Sequence, residues 1–250
     1  MLMLISIGLH DEQDMSIKAV EAARSCDLLF AEFYTTELET TKEKLESMIG
    51  KPLVELGRKD LEECIERLLE EAKAKKVGIL VGGDCLVATT HSMLLVEAKK
   101  RGIDTEVIHG SSILSAVAET GLHLQKFGTY VTIPFLEKTK GTLPVSVYEV
   151  LEENKRRGLH TLCLLDIGDR CMEVKEALTI LLALEEKLKR GITTPETWMM
   201  ACSRLGSQDK KIVYRSIKEL MKESFSTPAV LILPGSLHFS EKEAISSLPW

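Results

Sequence analysis

Short apolar segments alternate with single helical segments along the first half of the chain, and this alternation constrains the fold more than any other feature. The apolar segments predict strands at Leu2–Gly8, Leu28–Phe33, Leu53–Glu55, Val77–Val81 and Thr105–Ile108. Strands joined by one helix each need right-handed crossovers and therefore form a largely parallel sheet. We predict an α/β fold whose N-terminal domain has a mostly parallel sheet.

Two of the intervening helices have strong sequence signals. After the third strand, apolar residues recur at helical spacing on one face, opposite a charged face: Leu61, Cys64, Ile65, Leu68, Leu69 and Ala72. Asp60 is predicted to be the N-cap of this helix, with Glu63 completing a capping box. A second helix is predicted from about Ala88 to Arg101, where basic residues followed by Gly102 favour a C-terminus.

The second half of the chain has a different pattern and is predicted to be a second α/β domain with a mixed sheet. We place the boundary so that the domains are 1–112 and 113–250. Strands are predicted at Tyr130–Pro134, Thr161–Asp166, Thr197–Ser203, Ile212–Arg215 and Ala229–Leu233. A strongly amphipathic helix is predicted from Val174, with Leu178 and Leu181 facing inward, and it ends at Gly191.

Charge and apolar content argue against several classes of partner. The formal net charge of −6 disfavours a nucleic-acid partner, because phosphate binding relies largely on Lys and Arg. No apolar run approaches the roughly 18–20 residues that cross a bilayer, and the N-terminus lacks the basic start of a signal peptide. We therefore expect a cytosolic protein with no membrane partner.

Cysteine and histidine spacing predicts neither a disulfide framework nor a metal site. No H-x-x-x-H or H-E-x-x-H motif is present, and no two cysteines form a C-x-x-C pair. Free Cys behaves as a small hydrophobic residue, so buried thiols are the interpretation we favour. We predict buried free thiols at all six cysteines: Cys26, Cys64, Cys85, Cys163, Cys171 and Cys202.

Three of the predicted strands end in glycine-bearing loops, at Gly8–Asp11, Gly82–Cys85 and His109–Ile113. Ligands of open parallel sheets bind at the carboxyl ends of the strands, and glycine lets the backbone approach a ligand closely. The carboxylate of Asp84 suits a cationic group, and Ser111 or Ser112 can begin a helix while presenting amides. Ordinary strand-to-helix turns also contain Gly and Ser, so this pattern alone predicts a small-ligand site and no more.

Nucleotide cofactors fit these loops poorly. A dinucleotide-binding sheet needs G-x-G-x-x-G at the first strand-to-helix turn, and only Gly8 is present there. A Walker phosphate loop is absent as well. The nicotinamide and nucleoside-triphosphate alternatives are therefore disfavoured.

The segment G-G-D-C-L-V-A-T-T-H at 82–91, together with others distributed over nearly the whole chain, resembles the G-D-P-L-V-A-T-T-H segment of diphthine synthases, a family within the tetrapyrrole methylase superfamily. The other matching segments are I-G-L-H-D-E-Q-D at 7–14, C-D-L-L-F-A-E-F-Y-T at 26–35, H-G-S-S-I-L-S-A-V at 109–117, T-G-L-H-L-Q-K-F-G at 120–128, R-G-L-H-T-L-C-L-L-D-I at 157–167 and L-P-G-S-L-H at 233–238.

The resemblance implies a tetrapyrrole methylase-like fold and a methyltransferase activity. It implies two α/β domains, S-adenosyl-L-methionine in the interdomain cleft, S-adenosyl-L-homocysteine as product, and a homodimer. The implied substrate is elongation factor 2, whose histidine carries a 3-amino-3-carboxypropyl group that is methylated on its amine in diphthamide biosynthesis. The implied cofactor-binding residues are Leu9, Asp84, Val87, Ser112 and Ile113 in the first half and Leu165, Leu205 and Ala229 in the second.

Two positions depart from the family's pattern. Cys85 stands where the family has a proline, so this loop lacks a fixed φ angle and is expected to be more mobile. Ala229 stands where relatives often have histidine, so a contact there would be smaller or made by the backbone. Neither departure alters the carboxylate at Asp84.

Methyl transfer from a sulfonium needs a well-placed neutral amine and the exclusion of water, so we hypothesise that no side chain is an essential base. The catalytic residues are accordingly unassigned. His91 is expected to be packed rather than catalytic, Lys126 is expected on the solvated surface, and Tyr34 and Thr35 are candidate pocket residues. Two other functions remain open, namely methylation of a tetrapyrrole or RNA, and cofactor sensing without catalysis.

Overall fold

The computed structural model describes residues 1–62 and 65–247, which divide into two compact units between Ala116 and Val117. This division lies four residues beyond the predicted join between Ser112 and Ile113. Each unit contains one five-stranded sheet.

The first unit is built on a parallel sheet, as the sequence predicts. Its strands are β1 (Leu2–Gly8), β2 (Leu28–Glu32), β3 (Val54–Leu56), β4 (Val77–Gly82) and β5 (Thr105–Ile108), in the spatial order β3-β2-β4-β1-β5. Its helices are α1 (Ile17–Ser25), α2 (Lys42–Ile49), α3 (Arg58–Glu62), α4 (Glu66–Ala74), α5 (Ser92–Lys100) and α6 (Ile113–Ala116), with a 3-10 turn at Glu12–Asp14. Every strand pairing in this sheet is parallel.

Strand β1 lies in the middle of this unit and is buried along its whole length. Leu2 and Leu4 pack into one apolar cluster with residues of α4 and α5, whereas Met3, Ile5 and Ile7 pack into another with residues of α1 and α2. Apolar side chains on both faces of a parallel strand are expected when helices cover both sides of the sheet.

Two helix starts differ from the prediction. Asp60 does not cap a following helix, because it lies inside α3, where its Oδ2 accepts a hydrogen bond from the Gly57 amide at 2.8 Å. Glu63 and Cys64 lie outside the described residues. Helix α5 begins at Ser92 rather than near Ala88, because Ala88 has a φ of 56° in the left-handed region, which an α-helix does not allow.

The second unit contains a mixed sheet, again as predicted. Its strands are β6 (Val131–Ile133), β7 (Thr161–Leu165), β8 (Trp198–Ser203), β9 (Lys211–Ser216) and β10 (Ala229–Leu233), in the order β6-β7-β10-β8-β9. Only β6 and β7 pair in parallel; the other neighbours are antiparallel. Its helices are α7 (Val145–Arg156), α8 (Val174–Leu188), α9 (Ile217–Leu220) and α10 (Phe239–Ser247), with 3-10 turns at Val117–Thr120 and Leu124–Lys126.

Helix α8 supplies much of the core of the second unit. Two residues predicted to face inward, Leu178 and Leu181, are inaccessible to solvent, as is Leu184. Helices α9 and α10 were not predicted from the sequence. No helix among the described residues is both long and apolar enough to cross a bilayer.

Four cysteines are free and buried, which confirms the prediction of buried thiols for Cys26, Cys85, Cys163 and Cys202. Burial raises the pKa of Cys163 to about 12, so this thiol stays protonated. Cys171 is only partly buried, and Cys64 lies outside the described residues.

Candidate functional site

The three glycine-bearing loops of the first unit meet at one edge of its sheet. Gly8 and Gly83 exchange two backbone hydrogen bonds: the Gly8 amide donates to the Gly83 carbonyl at 3.2 Å, and the Gly83 amide donates to the Gly8 carbonyl at 2.7 Å. Gly110 of the third loop packs against both, because a Cβ atom there would lie 3.4 Å from the Gly83 oxygen and 3.6 Å from the Gly8 nitrogen, and only 2.7 Å from Cβ of Ser6. The close approach of these loops requires glycine at position 110.

Asp84 is a buried carboxylate at this meeting point. Its Oδ1 accepts a hydrogen bond from the Leu86 amide at 3.0 Å. Its Oδ2 accepts one from Nδ1 of His109 at 2.8 Å and one from the Gly110 amide at 3.2 Å. Burial alone would raise the pKa of Asp84, but these hydrogen bonds outweigh it and hold the pKa below its usual value. Asp84 is therefore ionised at neutral pH.

Cys85, which replaces the family's proline, uses the amide that a proline would lack. Its N–H donates to Oγ of Ser6 at 3.0 Å, and Ser6 is a buried residue of β1. The loop that contains Asp84 is thus tied to the central strand. Cysteine lacks the fixed φ angle of a proline, which was expected to make this loop more mobile. Its amide, however, forms this restraining bond, which a proline cannot form.

The V-A-T-T-H segment, at 87–91, folds back so that two of its side chains contact the Cys85 carbonyl. Oγ1 of Thr89 donates to the Cys85 carbonyl at 2.8 Å, and Nδ1 of His91 lies 3.2 Å from that oxygen. Because a carbonyl only accepts, Nδ1 of His91 carries the hydrogen. His91 is buried and hydrogen-bonded, as expected of a packed histidine. These bonds explain why α5 begins only at Ser92.

The other cofactor positions expected in the first unit lie on the same loops. Leu9, Val87 and Ile113 are half-buried, and Ser112 is buried. The Val87 amide donates to the Asp84 carbonyl at 3.0 Å, so its position depends on the turn that Asp84 begins. Three apolar side chains with partial exposure therefore accompany one ionised carboxylate, a combination that suits a ligand with both apolar and polar parts.

Glu32 is a buried carboxylate at this sheet edge that sequence reasoning missed. It ends β2, is inaccessible to solvent, and accepts hydrogen bonds at Oε2 from the amides of Tyr34 and Thr35 at 3.0 and 3.1 Å. Burial raises its pKa, while the Thr35 hydroxyl and His91 oppose the rise. The sequence did contain a signal for this residue, because a single glutamate ends the otherwise apolar strand segment L-L-F-A-E.

The residues beside the first loop have local structural partners. Asp11 accepts the Gln13 amide at 2.9 Å and so caps the 3-10 turn that follows. Nε2 of His10 lies 3.1 Å from a carboxylate oxygen of Glu39. Asp11 therefore has a local role as a cap.

In the second unit, the three expected cofactor positions lie at a single edge of the sheet. Leu165 ends β7, Ala229 begins β10, and Leu205 follows the end of β8. The antiparallel register pairs Ala229 with Ser203 and Val230 with Leu164, which brings these three strand ends together. Leu165 and Leu205 are buried and Ala229 is half-buried.

A charged network lies at the opposite edge of that sheet, around Glu241 of α10. Oε2 of this inaccessible carboxylate lies 2.6 Å from Nζ of Lys126, and Oε1 accepts from Nε2 of His160 at 2.8 Å. Nδ1 of His160 accepts from the Gly235 amide at 2.9 Å, so Nε2 carries the hydrogen. The expectation that Lys126 is solvated is therefore wrong, because a buried carboxylate far along the chain holds its ammonium group.

The described residues contain no group of three or more His, Cys, Asp or Glu side chains that could hold a metal ion. The loop edge of the first unit presents an ionised carboxylate, backbone amides and apolar side chains.

Comparisons with known proteins agree on one family. Residues 1–221 match the family model of the tetrapyrrole (corrin/porphyrin) methylases. The diphthine synthase of Methanocaldococcus jannaschii is 45% identical over 255 residues, covering 99% of this chain and 98% of that protein. The diphthine synthase of Methanococcus maripaludis is 41% identical over 253 residues, with the same coverage of 99% and 98%.

A solved structure has the same fold. The crystal structure of a diphthine synthase superposes with a TM-score of 0.89 and 34% sequence identity, covering 98% of this chain and 94% of that one. Both sheets of the chain therefore have counterparts in an experimentally determined protein.

Proposed function

The chain belongs to the tetrapyrrole (corrin/porphyrin) methylase family, and we propose that it acts as a diphthine synthase, an S-adenosyl-L-methionine-dependent methyltransferase. Relatives of that name match it over nearly their whole length at 41–45% identity. In this role it methylates the amino group of the 3-amino-3-carboxypropyl-modified histidine of elongation factor 2, a step of diphthamide biosynthesis.

The observation that carries the proposal is the ionised Asp84 carboxylate at the meeting point of three glycine loops. S-adenosyl-L-methionine offers hydroxyl and ammonium donors together with the flat aromatic faces of an adenine ring. Asp84 provides an acceptor of low pKa, and the half-buried Leu9, Val87 and Ile113 provide apolar surface. At Gly83 the space that a Cβ would occupy is open, so the backbone there is accessible to a ligand. The residues present fit this cofactor.

We assign the cofactor-binding residues by unit. The first unit contributes Leu9, Asp84, Val87, Ser112 and Ile113, and the second contributes Leu165, Leu205 and Ala229. At Ala229 the contact is made through the backbone or the small methyl side chain. Ala229 opens a strand and is only half-buried, which supports this assignment.

When bound, the cofactor supplies a methyl group already activated by its sulfonium. The chain's own residues contribute binding, orientation and exclusion of water, which are the effects that accelerate such a displacement. The hydrogen bonds of Ser6, Thr89 and His91 to residue 85 hold the Asp84 loop in place before the cofactor binds. The acceptor amine loses its proton to solvent before attack, and no side chain is assigned as its base.

We also propose a protein substrate, an oligomeric state and a location for this enzyme. Elongation factor 2 is the protein substrate, the enzyme is a cytosolic homodimer, and neither a membrane nor a nucleic acid is a partner. The net charge of −6 supports the last point, because nucleic-acid binding depends largely on basic side chains.

Transfer of radioactive methyl groups tests the assignment against its alternatives. The purified protein is incubated with labelled cofactor and, in separate reactions, with elongation factor 2 bearing the aminocarboxypropyl histidine, ribosomal RNA or a tetrapyrrole. We expect label in the elongation factor alone. Label in RNA or the tetrapyrrole instead would contradict the proposal, and cofactor binding without any labelled product would identify a sensor.

A further inference from the structure

An exposed histidine contacts the buried carboxylate of the proposed cofactor site. Nδ1 of His109 lies 2.8 Å from Oδ2 of Asp84, and their side chains are 69% and 8% exposed. Because an ionised carboxylate only accepts hydrogen bonds, Nδ1 carries a hydrogen and donates it. The imidazole is therefore held by Asp84 while most of its surface faces solvent.

The donors divide unequally between the two oxygens of Asp84. Oδ2 accepts from His109 and from the Gly110 amide, whereas Oδ1 accepts from the Leu86 amide. A carboxylate has about four lone-pair positions, two on each oxygen. Among the described residues, donors thus fill Oδ2 and leave one position on Oδ1. A hydroxyl or ammonium group that binds Asp84 has to approach Oδ1.

We propose that His109 is a positioning residue, which occupies Oδ2 and so fixes the rotation of the Asp84 carboxylate with Oδ1 directed at the cofactor. The inference rests on the proposed function, because it takes Asp84 as a cofactor ligand. Without His109, each oxygen keeps one backbone donor and water fills the open position on Oδ2. The carboxylate then rotates more easily and is better solvated, and both effects weaken its bond to the cofactor.

Three substitutions separate this role from a general structural one. His109→Asn is the matched variant, because the amide nitrogen of Asn, like Nδ1 of His, is two bonds beyond Cβ. His109→Gln places its amide nitrogen one bond further away, and His109→Ala removes the donor. Since His109 is mostly exposed, none of the three should shift the melting temperature of the free protein appreciably.

Calorimetric titration with S-adenosyl-L-homocysteine measures the effect directly. We expect His109→Ala and His109→Gln to bind about three- to tenfold more weakly than the wild type, as for a lost hydrogen bond to a charged group that is partly screened by solvent. His109→Asn should stay within about twofold of the wild type. In methyl transfer, His109→Ala should raise KM for the cofactor and leave kcat unchanged.

Two results would overturn the inference while leaving the proposed function intact. One is wild-type affinity in His109→Ala. The other is an affinity of His109→Asn as low as that of His109→Ala, at equal melting temperature. A wild-type protein that does not bind S-adenosyl-L-homocysteine would instead contradict the proposed function, and the inference with it.

Discussion

The Ser6 hydroxyl accepts a hydrogen bond from the Cys85 amide at 3.0 Å, joining the central strand of the first sheet to the loop that carries Asp84. Both residues are buried. A buried amide without a partner costs about 1–3 kcal/mol, so this single bond from a backbone amide to a side-chain hydroxyl matters. Cys85 stands where the family has a proline, and a proline would have no amide hydrogen to donate to Ser6.

Removal of the Ser6 hydroxyl should therefore loosen the Asp84 loop. We expect Ser6→Ala to lower the free energy of unfolding by about 1–3 kcal/mol and to weaken cofactor binding. Thr193→Val is the matched control, because the buried Thr193 hydroxyl also makes a hydrogen bond to the backbone, donating to the Leu181 carbonyl, and belongs to the second unit. Thermal unfolding and calorimetry should show a stability loss in both variants and an affinity loss in Ser6→Ala alone.

The same bond predicts that substitutions at the two positions are coupled. Cys85→Pro removes the donor, so its stability cost should be smaller in a Ser6→Ala background than in the wild type. A double-mutant cycle measured by thermal unfolding should give a coupling energy of about 1 kcal/mol. Additive effects of the two substitutions would mean that the bond contributes nothing to stability.

Asp84→Asn should reduce cofactor affinity by at least about tenfold, because one acceptor oxygen becomes an NH₂ group that faces a hydrogen-bond donor. Either orientation of the amide sets it against the Leu86 amide or against His109 and the Gly110 amide. Asp27→Asn is the control, since Asp27 also accepts a backbone amide, that of Lys76, but is exposed. Equal affinities of the two variants in calorimetry would exclude Asp84 as a cofactor ligand.

Gly110→Ala should separate the loops that meet at the site. Its Cβ would lie 2.7 Å from Cβ of the buried Ser6, closer than real Cβ contacts allow. Overpacking of this kind costs about 1–3 kcal/mol, and here the displaced atoms belong to the site. We expect lower stability and weaker cofactor binding. Gly57→Ala, with no neighbour closer than 3.5 Å, should change neither property, and an effect as large as that of Gly110→Ala would contradict the packing argument.

The Glu241 network should make the protein sensitive to acid. Burial would raise the pKa of Glu241, but hydrogen bonds from Lys126, the backbone and His160 lower it to about 2, from 4.5. This stabilisation is complete above about pH 4.5 and is lost as the pH falls toward 2. Burial also lowers the pKa of His160 from 6.5, so the neutral imidazole is favoured and stability falls further below that pH.

Glu241→Gln tests this network, with Glu243→Gln on the exposed face of the same helix as control. Removing one partner of a buried pair costs about 3–5 kcal/mol. We expect a loss of that order at pH 7, and a smaller dependence of stability on pH between 7 and 3, in Glu241→Gln alone. Urea unfolding across this range is the measurement. An acid profile identical to the wild type would show that Glu241 is not the group that titrates.

The sequence predicted the architecture of both units, because the alternation of apolar segments and helices is a local signal that reports directly on burial. It also placed the loops of Gly8, Gly83 and Gly110 at one edge, since parallel strands direct their carboxyl ends together. What it missed depends on contacts between distant positions. Lys126 looked solvated because its partner, Glu241, is separated from it by more than a hundred residues. The late start of α5 reflects Thr89 and His91 bonding to Cys85, which no helix-propensity signal contains.

The most direct test of the proposed function is mass spectrometry of elongation factor 2 that bears the aminocarboxypropyl histidine, after incubation with this protein and S-adenosyl-L-methionine. We predict that the modified histidine gains mass in whole methyl increments, and that Asp84→Asn at the same cofactor concentration sharply reduces the gain. An unchanged elongation factor after incubation with wild-type protein that binds the cofactor would contradict the assignment.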